Sequence, residues 1–124
     1  MKKLLSLSLI LATSGLLFAS DGAEELANQK CGSCHLMGAI TKEKLDRMVA
    51  PPYWAIAKKV KQSSDDKEAA VKFIVDYTLN PTQEKTLFPK ETIEKFGIMP
   101  SQKGLVTEDE IKLIAEYILE KKAF

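Results

Sequence analysis

The segment QKCGSCHLMG, residues 29–38, holds both cysteines of the chain and its single histidine. Cys31, Cys34 and His35 therefore concentrate the metal-binding and thiol chemistry of the whole sequence at one place. A chain of 124 residues is enough for one compact domain, and a core of that size often gains from an added staple. A disulfide between Cys31 and Cys34 would close a very small loop and add little chain-entropy stabilisation. Zinc wants four ligands, and the sequence has no second C-x-x-C and no histidine pair; carboxylates could complete a set, but nothing marks which. C-x-x-C is also a redox-dithiol spacing, yet that use places the pair at the start of a helix that follows a strand. The preceding residues, AEELANQK (23–30), contain no β-branched or aromatic side chain and read as helix.

The N-terminus constrains where this chemistry takes place. Lys2 and Lys3 precede an apolar run from Leu4 to Phe18, and Ala19 and Ser20 supply small residues before Asp21. This is the layout of a secretory leader over residues 1–20, leaving 21–124 as one exported, periplasmic domain. Leu17 stands where a small residue is preferred, so an uncleaved N-terminal anchor is the alternative. The run is short for a spanning helix, which needs about 20 apolar residues, and no membrane span is expected in the mature protein. Loss of the two leader lysines takes the formal charge from +1 to −1. A near-neutral chain lacks the concentrated basic excess of a nucleic-acid surface. Outside the cytoplasm a cysteine pair is usually oxidised, metal-bound or modified.

C-x-x-C followed directly by histidine is the attachment signature of c-type haem. Two thiols add to the vinyl groups on one edge of the porphyrin, and the adjacent imidazole ligates iron. With one histidine in the chain, the sixth ligand cannot be a second imidazole, whereas Met/His ligation is the common electron-transfer arrangement. Met1 leaves with the leader, and Met37 is too near His35 to reach the other face. Met48, in LDRMVAPP, is close in sequence to the attachment point. Met99, in FGIMPSQKG, is far enough away to return over the ring, and Pro100 stiffens its loop. Met99 is the expected ligand, with Met48 second and a core-filling role for Met99 as the alternative.

These features resemble a small monohaem class I cytochrome c, over the whole of residues 21–124. The motif stands near the mature N-terminus, a Met-Pro lies in the last third, and an amphipathic helix closes the chain. VAPPYWAIAKKV (49–60) resembles the family's Gly-Pro-aromatic segment, although Ala50 replaces the usual glycine and Pro52 is extra. The resemblance implies an all-α cytochrome c fold, four to five helices around one covalent haem c. It also implies the Pro51 carbonyl as partner of His35, with Pro52 as the next choice. Trp54 is set at the haem edge with its indole N–H toward a propionate, or else simply packs. Tyr117 is the aromatic crossing against the first helix.

Local patterns agree with helices. Asp21 is expected to cap the first, and residues 53–61 form the next. Ser63 or Ser64 then caps a helix whose first turn holds Asp65, Asp66 and Glu68. In that helix Ala70, Phe73, Ile74 and Tyr77 make one apolar stripe, and Asn80-Pro81 ends it. A short helix over 89–96 ends at Gly97. Thr107 to Glu110 is a capping box for a last helix that buries Ile111, Ile114, Ala115, Ile118 and Leu119.

The expected function is a monomeric, non-enzymatic electron carrier of a respiratory chain. The resemblance implies redox partners such as a quinol–cytochrome c reductase, a terminal oxidase, a reductase or a peroxidase. Lys30, Lys42, Lys44, Lys58, Lys59 and Lys103 are candidates for the rim that docks them. Two other classes stand beside it. One is a haem-based small-ligand sensor or peroxidase-like enzyme with a labile sixth ligand. The other is a thiol–disulfide oxidoreductase with free cysteines.

Overall fold

The computed structural model describes residues 15–121, with side chains from Gly22 onward, and its described residues form helices and loops without strands. The helices are α1 (Gly15–Cys31), α2 (Lys42–Asp46), α3 (Tyr53–Ser63), α4 (Lys67–Leu79), α5 (Lys90–Phe96) and α6 (Glu108–Glu120), with a 3₁₀ turn at Gln83–Lys85. The all-α expectation therefore holds, with six α-helices rather than four to five. The leader expected over 1–20 lies largely outside the described residues. No helix among those described is long and apolar enough to cross a membrane.

The amphipathic pattern of α6 organises the packing. Its capping box forms in full: Glu110 N–H donates to Thr107 Oγ1 at 3.1 Å, and Thr107 N–H donates to Glu110 Oε1 at 3.0 Å. Downstream, Ile111, Ile114, Ala115, Ile118 and Leu119 are all buried, and α6 packs against α1, α3 and α4. Each of the isoleucines and the leucine stabilises the fold by about 1.5–3 kcal/mol on full burial. On α1 the buried positions are Ala23 and Ala27, four apart on one face, and such small residues suit close approach of two helices. Apart from Ala23, the buried residues make one cluster, which also takes in Tyr53, Ala57 and Val60 of α3.

Three details differ from the sequence reading. Asp21 lies inside α1 rather than at its start, because the backbone is already helical from Gly15. Ser63 is the last residue of α3, and Asp66 caps α4 by accepting the Ala69 N–H at 2.8 Å. A carboxylate at that position both accepts the hydrogen bond and complements the helix dipole, which a serine hydroxyl does less well. The short α2 had no apolar periodicity to announce it and buries no residue; Thr41 caps it through the Lys44 N–H at 3.2 Å.

Thr107→Ala removes one half of the α6 box and is expected to cost about 1 kcal/mol, read from chemical denaturation. The hydrogen bond from the Thr107 backbone holds the Glu110 carboxyl below its ordinary 4.5. Its contribution is present above that pH and fades as acid protonates the carboxylate. The stability gap between the wild type and Glu110→Gln should therefore narrow on acidification.

Candidate functional site

At its C-terminus α1 tightens into the cysteine–histidine turn. Cys31 O accepts the Cys34 N–H at 3.2 Å and the His35 N–H at 2.9 Å. Gly32 is required here: a Cβ at this position would stand 2.3 Å from the Asn28 carbonyl oxygen, inside any tolerable contact. Cys31 is half-buried, Cys34 is exposed, and neither is in a disulfide. Burial, with the neighbouring Cys34 second, pushes the Cys31 thiol above its ordinary value.

His35 is fixed from the opposite side. Its Nδ1 lies 2.7 Å from the Pro51 carbonyl oxygen. A carbonyl only accepts, so Nδ1 carries the hydrogen and Nε2 keeps its lone pair. The acceptor is free for a structural reason. The Pro52 carbonyl, the other choice from sequence, already accepts from Ala55 at 3.1 Å and Ile56 at 3.2 Å in the first turn of α3. Pro51 stands one residue earlier, outside that ladder. Burial lowers the His35 pKa, and the Pro51 bond opposes this only in part. The imidazole is thus a neutral donor at pH 7.

Cys31, Cys34 and His35 line a cleft of about 1550 Å³, part of it open to solvent. Its walls are largely apolar: Ile56 and Val60 from α3, Phe73, Ile74 and Tyr77 from α4, and Ile111, Ile114 and Ile118 from α6. The Phe73 and Tyr77 rings stack at 5.9 Å. Met99 lines the same cleft, from the stretch after α5. Gly97 ends α5 with φ 77° and ψ −175°, a backbone conformation open essentially to glycine alone. Beyond Met99 the chain is tied to the end of α4, where Ser101 Oγ donates to Leu79 O at 2.6 Å and Gln102 N–H to Thr78 O at 3.0 Å. Two carbonyls in the last turn of a helix thereby hold the loop that carries Met99.

The remaining candidates are placed elsewhere. Met48 is half-buried but is not among the lining residues, whereas Met37 is buried in the core and does line the cleft. Trp54 is likewise not among the lining residues; its ring meets Tyr53 edge-on at 5.3 Å. One helical step of about 100° separates Trp54 from Tyr53, which lines the cleft as Ile56 and Val60 do. Of the six rim lysines, Lys30 and Lys59 line the cleft. Lys42 pairs with Asp46 at 3.5 Å, and Lys44 donates to Ala39 O at 3.3 Å. Tyr53 was not singled out from sequence, although its spacing to Ile56 and Val60 was a usable signal. It is almost fully buried, and its hydroxyl has no hydrogen-bond partner among the described residues. Among the described residues, no three His, Cys, Asp or Glu side chains gather into a metal-binding group.

No family model matches the chain, and no solved structure matches it. A protein of Aquifex aeolicus (strain VF5), named only as an uncharacterized protein, is 29% identical over 106 residues, covering 76% of this chain and 69% of the relative.

The difference between the two cysteines is open to direct measurement. In protein whose thiols are free, Cys34 should be alkylated well before Cys31, because it is exposed and its neighbour is desolvated. Equal rates at neutral pH, read by peptide mass spectrometry, would contradict the burial described for Cys31.

Proposed function

We propose that the protein is an exported one-electron carrier that holds a single covalently attached haem c. The reading is carried by one observation: a C-x-x-C-H turn and a distant methionine line the same apolar cleft, with the histidine already in the tautomer a metal needs. The donor set suits the group. Cys31 and Cys34 offer two thiols for thioether attachment, His35 offers Nε2, and Met99 offers a soft, neutral sulfur. The buried Tyr53 hydroxyl, without a hydrogen-bond partner among the described residues, suits a cleft whose occupant carries polar groups.

When bound, haem supplies an iron centre that cycles between ferrous and ferric. Each residue then has a defined task. The Pro51 carbonyl orients the imidazole and raises its basicity as a ligand. The isoleucines of α6 and the Phe73–Tyr77 pair exclude water and keep the dielectric low, which favours the less charged ferrous state. Ser101 and Gln102, bonded to the last carbonyls of α4, would hold the Met99 loop in place and so limit reorganisation on electron transfer. Cys34, being exposed, marks where an attached group would come nearest to solvent and to a redox partner. Lys30 and Lys59 at the cleft suit acidic partners of the reductase, oxidase or peroxidase kind, met in the periplasm.

Absorption spectra of the exported protein test this reading. Expected are a low-spin spectrum in both oxidation states and, in the ferric form, a weak far-red sulfur-to-iron band. Met99→Ala should abolish that band and leave a high-spin ferric species, while Met48→Ala leaves it intact. A high-spin wild type would favour a sensor or peroxidase-like enzyme, and a colourless protein would favour dithiol chemistry.

A further inference from the structure

The last described residue, Lys121, makes more connections than its place at the end of α6 requires. Its Nζ donates to Met37 O at 3.2 Å, two residues beyond His35. The same ammonium lies 4.8 Å from the centre of the Tyr53 ring and 5.4 Å from that of Tyr117, and 3.9 Å from Glu24 on α1. Tyr53 in turn donates its N–H to Leu36 O at 3.0 Å. The three residues from His35 to Met37 are therefore held in succession: the imidazole by Pro51, the next carbonyl by Tyr53, and the one after by Lys121. An ammonium over two aromatic faces and bonded to a carbonyl is geometrically determined in a way a surface lysine is not. Burial alone would lower its pKa, but Tyr117, Tyr53 and Glu24 outweigh that, so the group stays charged.

We propose that Lys121 is a positioning residue for His35, acting through the Leu36–Met37 backbone to keep the imidazole seated on Pro51. The proposal rests on the haem-ligand reading of His35. It makes the C-terminal end of α6 part of the apparatus that holds the axial ligand, and not only part of the core.

Hydrogen exchange in the full-length holoprotein tests it. The reporters are the Tyr53 amide and the His35 Nδ1–H, with the Ile74 amide of α4 as the reference for global opening. Lys121→Met should speed both reporters by about tenfold relative to Ile74, the size of effect expected for a hydrogen bond from a charged donor. Lys121→Arg, which keeps the charge and the donor, should restore most of the protection. Glu24→Gln, which leaves the Met37 bond in place and is the mildest of the three changes, should leave the ratio of reporter to reference unchanged. Equal acceleration of Ile74 in Lys121→Met would mean that Lys121 only stabilises the fold, and unchanged reporters would mean that it does not hold the loop; either result overturns the proposal. So would a Glu24→Gln ratio that shifts as far as that of Lys121→Met. A sample without haem absorbance removes the haem reading instead, and the Tyr53 amide still decides whether Lys121 holds this loop.

Discussion

The Pro51 carbonyl sits two residues before α3 begins at Tyr53, and it accepts the Nδ1–H of His35 at 2.7 Å. Much of the site depends on this bond. It selects the tautomer, sets the plane of the ring, and ties the turn after α1 to the start of α3. The two prolines make it possible. Pro52 caps α3 and commits its own carbonyl to the helix, while the ring of Pro52 disfavours a helical backbone at Pro51, whose oxygen stays outside the ladder. With a single proline, the same oxygen could join the first helical turn and leave the imidazole without its acceptor.

The helices serve this constraint from three directions. α1 ends where Gly32 lets the chain pass close over Asn28 and turn sharply into the cysteine–histidine segment. α4 gives its last carbonyls to Ser101 and Gln102 and so holds the Met99 loop. α6 packs on α1, α3 and α4, supplies apolar wall to the cleft, and ends at Lys121 beside the loop that follows His35. Surface ion pairs such as Glu43–Arg47 and Lys90–Glu94 are exposed and add little by comparison.

The strongest patterns in the sequence were the ones the structure kept. The buried set of α6, the stop at Asn80-Pro81 and the glycine end of α5 are local matters of periodicity and termini, and each was readable from its own few residues. The Pro51 acceptor was legible only through a family resemblance, and its physical reason, the commitment of Pro52 to α3, needed coordinates. The Asp66 cap was mistaken for Ser63 or Ser64 because four residues of capping type, Ser63, Ser64, Asp65 and Asp66, stand in succession and only the observed end of α3 decides among them. α2 had no apolar face to declare it. Lys121 was invisible for a different reason. A lysine at the end of an amphipathic helix looks like solvent-facing charge until the carbonyl and the two rings around it are seen together.

The central claim is that Cys31 and Cys34 are anchors and not free thiols. Intact-mass spectrometry of the exported protein under denaturing conditions, followed by peptide mapping across residues 31–42, measures this directly. The expected result is a chain that retains the mass of one haem after unfolding, located on the peptide that contains Cys31, Cys34 and His35, with neither cysteine open to alkylation. A chain that unfolds to its polypeptide mass alone, with both thiols reactive or joined to each other, would contradict it.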